Sequence, residues 1–153
     1  MIYSILCNDI SETDVLASKF AQVVSEQGAF VCLLGDVGAG KTAFTKLVCK
    51  YLGVKEKVTS PSFVILNEYK SGCIPVYHFD LYRLENEGVS TIINELEEYS
   101  EGKMLTLVEW AEFSQNSLPF DRIEVRIDYI DETVRKFHFE AYGQKSEDIL
   151  KRL

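Results

Sequence analysis

Hydrophobic and polar positions change period several times along the chain, and each period predicts an element. Met1 to Cys7 is a short apolar opening suited to an edge strand. Val15, Leu16, Ala17, Phe20, Val23 and Val24 then recur at helical spacing, with Ser11-Glu12-Thr13-Asp14 as a capping-box-like start and Gly28 as the stop. That face is expected to be core. The unbroken apolar run Phe30 to Leu34 suits a buried strand, and Thr42 to Leu52 suits a second helix that Gly53 ends. Pro61 interrupts regular structure, after which Val64–Tyr69 and Ile74–Tyr82 read as strands; the Ser71-Gly72 turn between them makes them antiparallel neighbours. Val89, Ile92, Ile93 and Leu96 mark a helix inside the acidic stretch 85–102, and Met104 to Val108 is a buried strand run. In the last third Ile123, Val125, Ile127 and Tyr129 alternate with charged residues, Asp131-Glu132-Thr133 turns the chain, and Phe137, Phe139 and Ala141 alternate again. This predicts a β-hairpin with one wet face, on which a short helix from Ser146 to Leu153 docks.

Between the first buried strand and the second helix lies Gly35-Asp36-Val37-Gly38-Ala39-Gly40-Lys41-Thr42, which satisfies G-x-x-x-x-G-K-[ST] in its required strand-to-helix context. The glycines let the backbone turn tightly and bring N–H groups against phosphate oxygens, while the helix that follows turns its unpaired amides and positive dipole end to the same place. Asp36, Val37, Gly38, Ala39, Gly40, Lys41, Thr42 and Ala43 are therefore the candidate nucleotide-binding residues. Lys41 can reach the β- and γ-phosphates, and the Thr42 hydroxyl can ligate Mg²⁺. The expected fold class is α/β, a P-loop NTPase-like three-layer fold with a mixed parallel and antiparallel sheet and a C-terminal β-hairpin.

Further candidates follow from position relative to this loop. Thr59, Ser60 and Ser62 form a hydroxyl-rich segment shortly after the P-loop helix, which is either a switch loop that senses a γ-phosphate or a polar loop with no nucleotide contact. Alternation in the strand ending His78-Phe79-Asp80-Leu81-Tyr82-Arg83 puts His78 and Asp80 on one face and Phe79 and Leu81 on the other. Asp80 is a candidate acid, His78 either touches the site or is structural, and Arg83 pairs either with phosphate or with a carboxylate such as Glu85. The run Met104 to Val108 ends in Glu109, the shape of a Walker B element whose carboxylate meets the metal or its water. Trp110 either packs in the core, the ordinary expectation, or stands over a ligand. A nucleotide base could also stack near the first helix, but plain packing is the ordinary expectation for that face.

Composition narrows the function. At 153 residues and 46% hydrophobic content, the chain is expected to be one P-loop ATPase domain over 1–153. A net charge of −8 leaves no excess of Lys and Arg for the footprint that nucleic-acid backbones need, so strong direct nucleic-acid binding is not expected. Cys7, Cys32, Cys49 and Cys73 form no C-x-x-C pair, and Cys32 and Cys49 lie in apolar runs, which suits buried thiols in a reducing compartment. With no signal-like N-terminus and no apolar run near the roughly eighteen residues of a membrane span, a cytoplasmic location without membrane contact is expected.

Four segments in order make the chain resemble the TsaE (YjeE) family, small bacterial P-loop ATPases of tRNA threonylcarbamoyladenosine synthesis. Gly35 to Thr42 is similar to the family's Walker A, Thr59-Ser60-Pro61-Ser62-Phe63 to its T-S-P-T-F segment, His78 to Arg83 to its H-F-D-L-Y-R, and Val108-Glu109-Trp110-Ala111-Glu112 to its V/I-E-W-A-E. Ser62 stands where the family usually has Thr, which keeps the hydroxyl and removes a methyl. The segment 84–99 departs further, and that bears on partner contacts more than on nucleotide chemistry.

The resemblance implies an accessory, Mg²⁺-dependent ATPase, slow alone and coupled to partners. Those partners are TsaD and TsaB, the pair that transfers threonylcarbamoyl to adenosine 37 of ANN-decoding tRNAs. In the mechanism expected on this basis, water attacks the γ-phosphate of ATP and leaves ADP. Lys41 and the loop amides stabilise the transferring group, Thr42 holds Mg²⁺, and Glu109 and Asp80 divide the ordering of the metal's water shell from the orientation of the attacking water. Thr59, Ser60 and Ser62 would report loss of the γ-phosphate. Two alternatives share the loop: a nucleotide-sensing module with negligible turnover, and a small-molecule kinase. Kinases of this kind usually carry an Arg-bearing lid, and here only Arg83 precedes the last third of the chain.

Overall fold

The strands that read as unbroken apolar runs occupy the middle of the sheet, where both faces are covered. The computed structural model describes residues 1–61, 64–82, 98–99, 102–110 and 118–153. Among them run β1 (Ile2–Cys7), α1 (Ile10–Gln27), β2 (Ala29–Leu34), α2 (Lys41–Tyr51), β3 (Leu66–Tyr69), β4 (Val76–Asp80), β5 (Leu105–Glu109), β6 (Arg122–Tyr129), β7 (Arg135–Tyr142) and α3 (Gln144–Leu150). The sheet has seven strands in the order β1-β7-β6-β2-β5-β4-β3. β2 is parallel to both β5 and β6, and β4 is parallel to β5; the pairs β1/β7, β6/β7 and β3/β4 are antiparallel. The result is a P-loop NTPase-like α/β fold with a mixed sheet and a C-terminal hairpin.

Alternation along the strands divides the interior into two cores. On one face Val31, Leu33, Leu105, Leu107, Val125, Phe137 and Phe139 pack against Leu16, Phe20 and Val24 of α1, Phe44 and Val48 of α2, and Ile149 and Leu150 of α3. Phe20, Phe44, Phe137 and Phe139 meet there with ring centroids 5.2 to 6.5 Å apart. Tilted aromatic pairs of this kind contribute about 0.5–1.5 kcal/mol each beyond the area they bury. On the other face Phe30, Cys32, Phe79, Leu81 and Val108 form a smaller core edged by Tyr77, Tyr99, Trp110 and Leu118.

Several boundaries differ from the sequence expectation, each for a local reason. The cap of α1 is Asp9, not Ser11. The Asp9 carboxylate accepts from the Glu12 amide at 3.0 Å and from the Ser11 hydroxyl at 2.6 Å, and Glu12 reaches back to the Asn8 amide. Val15 is 55% exposed rather than core. At about 100° per residue it lies some 140° around the helix from Phe20, off the buried stripe. β3 begins at Leu66 because Val64 and Ile65 both donate to the Pro61 carbonyl in a turn that leaves Ile65 at φ 71°. α3 starts at Gln144, where the Asp121 carboxylate accepts from the amides of Lys145 and Ser146 and from the Ser146 hydroxyl. The helix expected within 85–102 lies almost wholly outside the described residues.

Candidate functional site

The loop between β2 and α2 depends on backbone that only glycine supplies. Gly35 leaves β2 at φ 135°, and a Cβ there would meet the Ile127 carbonyl of β6 at 2.5 Å. Gly40, at φ 113°, is the N-cap of α2 and offers no side chain to its first amides, and no acidic residue stands in the first turn. Those amides and the dipole end are the kind of site an anion takes. The loop is braced from within by the Ala39 amide donating to Asp36 at 3.0 Å. From β7, Arg135 Nε donates to the Ala39 carbonyl at 3.0 Å. Lys41 is buried; its Nζ donates to the Gly35 carbonyl at 2.9 Å and lies 5.0 Å from the centroid of the Trp110 ring.

The acids arrive from the opposite wall. Asp80 ends β4 and Glu109 ends β5, and the parallel register sets the two side by side. Both are 4% exposed. Val76, Leu105 and Leu107 of the same rows belong to the larger core, so alternation turns both carboxylates to the layer that holds α2. Asp80 Oδ1 accepts from the Tyr82 amide at 3.0 Å. Glu109 Oε2 lies 2.6 Å from Nε2 of the fully buried His78. The chain turns directly afterwards, with Trp110 at φ 60°, a left-handed conformation that costs a bulky residue on the order of 1–3 kcal/mol.

Loop and acids enclose a cavity of about 260 Å³ lined by Val37, Gly38, Gly40, Lys41, Thr42, Ala43, Ser60, Asp80, Glu109 and Trp110. A second cavity of about 270 Å³ shares Gly40 and Ala43 with it and extends to Asp9, Ile10, Thr13 and Arg135. Here the Ser11 hydroxyl, and then the Glu12 amide, hold the Asp9 carboxyl below the usual carboxylate range. The first cavity sets amides and one ammonium against two carboxylates and the Thr42 hydroxyl. Amides and ammonium suit phosphate; hard oxygen donors suit Mg²⁺, which typically takes one or two carboxylates and completes its shell with water and phosphate. Among the described residues no group of three His, Cys, Asp or Glu could hold a metal unaided. The donor set thus fits an ion brought together with a phosphate ligand.

A model of the family described as "Threonylcarbamoyl adenosine biosynthesis protein TsaE" matches residues 7–137. The chain belongs to the TsaE family. Among curated relatives, the tRNA threonylcarbamoyladenosine biosynthesis protein TsaE of Bacillus subtilis (strain 168) is 37% identical over 142 residues, covering 93% of this chain and 87% of that protein. The protein of the same name from Rickettsia bellii is 37% identical over 131 residues, 85% of this chain and 89% of its own. A crystal structure of Bacillus subtilis YdiB superposes with a TM-score of 0.81 at 32% identity, covering 99% of this chain and 93% of that one.

The residues that carried the TsaE resemblance do not all fall in one place. Val37, Gly38, Gly40, Lys41, Thr42, Ala43, Ser60, Asp80, Glu109 and Trp110 line the first cavity. Asp36 and Ala39 are absent from that lining; both border another groove with Arg126 and Asp128, and Ala39 is buried in the larger core. Thr59 is tied to β3: its amide donates to the Tyr69 hydroxyl at 3.1 Å and its carbonyl accepts from Asn67. His78 sits beneath Glu109 rather than in the lining. Trp110 meets both of its expectations, since it packs at the edge of the smaller core and also lines the cavity over Lys41. Ser62 and Arg83 lie outside the described residues. Arg135 is the brace that sequence reading missed; it lies between the Asp131–Thr133 turn and the alternation from Phe137, with no local sign of the loop it reaches.

Proposed function

We propose that this TsaE-family chain is a Mg²⁺-dependent ATPase that supports threonylcarbamoylation of adenosine 37 in ANN-decoding tRNAs, acting on the TsaB–TsaD transferase pair. The observation that carries the catalytic part is the facing of Lys41 and Thr42 by Asp80 and Glu109 across one cavity. ATP would lie with its phosphates on the Gly38–Thr42 amides and its base toward the second cavity, which opens beside Gly40 and Ala43. To reach the β- and γ-phosphates Lys41 leaves the Gly35 carbonyl for a stronger, charged acceptor. Thr42 and Glu109 would hold Mg²⁺, which when bound neutralises charge on the phosphate oxygens. Asp80 orients the attacking water, whose oxygen bonds to the γ-phosphorus as the bond to the bridging oxygen breaks; ADP and inorganic phosphate leave, and the water's proton is released. Ser60, at the cavity wall, is placed to sense whether a γ-phosphate is present.

The partner assignment is supported by family membership and by charge. A protein with net charge −8 is suited to act on a tRNA-handling enzyme rather than to hold tRNA itself. The test is steady-state ATP hydrolysis, alone and with a purified TsaB–TsaD pair, with Lys41→Ala as the blank. Stimulation by the pair is expected. Binding of ATP without hydrolysis above the blank in either condition would replace the ATPase with a nucleotide-sensing module.

A further inference from the structure

His78 is a buried polar ring with one polar contact among the described residues. It lies on β4 one pleat below Asp80, on the face turned to α2, and is fully buried. Its Nε2 is 2.6 Å from Glu109 Oε2, and its Nδ1 is buried without a hydrogen bond among the described residues. An imidazole sunk in a strand interior loses hydration that an apolar side chain would not. Its contact with Glu109 is the compensation. A carboxylate offers only acceptors, so Nε2 carries the hydrogen and donates it. The Tyr82 amide meets Asp80, and the His78 ring meets Glu109.

We infer that His78 is a positioning residue for the metal-binding carboxylate. By occupying Oε2 it fixes the orientation of Glu109 and leaves Oε1 as the oxygen for Mg²⁺. The inference rests on the Mg²⁺–ATP site proposed above. Carboxylates that ligate metals are commonly oriented by such hydrogen bonds, and loss of the orienting partner costs about 10–100-fold in metal affinity.

Two amides of different reach test this. The nitrogen of His78→Gln falls near the place of Nε2, whereas that of His78→Asn falls near Nδ1, too short to reach Glu109. Mn²⁺ binding to the ADP-loaded protein is read by electron paramagnetic resonance, ADP affinity with Mg²⁺ and with EDTA by calorimetry, and folding by thermal unfolding. His78→Asn should keep the EDTA affinity and lose about tenfold or more in Mn²⁺ affinity, and His78→Gln should restore most of it. Should His78→Asn fail to fold, His78→Leu takes its place. A folded His78→Asn or His78→Leu with wild-type Mn²⁺ affinity overturns the inference alone, as does a His78→Gln no better than them. A wild-type protein that binds ADP equally with and without metal overturns the metal site itself, and the inference with it.

Discussion

The phosphate loop and the acid pair face each other across one cavity, yet they are built in opposite ways. The loop is a single stretch of chain whose turns are made by its own glycines, Gly35 at the end of β2 and Gly40 at the head of α2, with Ile127 and Arg135 closing on it from β6 and β7. The acids come from two strands distant in sequence and meet only because β4 and β5 run parallel in register, with Leu81 donating to the Glu109 carbonyl just beyond their ends. A locally built element survives damage elsewhere; one built by register depends on the whole sheet and on supports such as His78. Substitutions in the two walls should therefore fail differently.

The largest effect is expected from Lys41→Ala, which removes the one ammonium in the cavity and should lower ATP hydrolysis at least about a hundredfold, measured by phosphate release. Next is Phe44→Ala, at the meeting of α2 with Phe20, Phe137 and Phe139. It should cost about 3–5 kcal/mol in denaturant unfolding, and would show whether the loop's geometry depends on its helix staying seated. Glu109→Ala should leave nucleotide binding in EDTA intact and slow hydrolysis at least tenfold, a barrier change of about 1.4 kcal/mol. An unchanged rate would make the acid wall structural.

How much of this was legible in the sequence follows the same division. The loop could be read directly because its chemistry is contiguous and its glycines are required by the backbone. β2 and β5 could be read because strands buried on both faces are apolar without interruption. The partnership of Asp80 with Glu109 was legible as two candidate acids, not as neighbours, because register is a property of the sheet. Two features gave no local signal, and the third, Asp9 with Glu12 three residues on, gave one as good as its rival's. Arg135 reaches the Ala39 carbonyl only because β7 passes beside the loop. Trp110 stands over Lys41 because the chain turns left-handed directly after Glu109. Asp9 takes the cap because its carboxylate reaches the Glu12 amide, while Ser11, the more obvious capping residue, is spent on that carboxylate.

The smaller predictions concern supports of the two walls. Asp9→Ala should destabilise the protein by about 1 kcal/mol in thermal unfolding, since only α1 loses a cap. Thiol chemistry should report the same interior without altering it. Burial pushes the Cys49 thiol up to about 12, and also raises that of Cys7, whereas Cys73 is exposed. Near pH 8 an alkylating reagent should label Cys73 in the native protein and reach the buried thiols only on unfolding, as counted by mass spectrometry.

The central claim is that a nucleotide enters the cavity between the loop and the acids. Trp110 is the only tryptophan in the chain and lies over Lys41, the residue that moves to phosphate in the proposed site. Its emission, followed as ATP and Mg²⁺ are titrated into the wild-type protein and into Lys41→Ala, is the most direct measurement. The account predicts a saturable change in the wild type that is absent, or shifted to much higher ATP concentration, in Lys41→Ala. Unchanged Trp110 emission in a wild-type protein that calorimetry shows to be saturated with ATP would contradict it, because the nucleotide would then be bound away from this cavity.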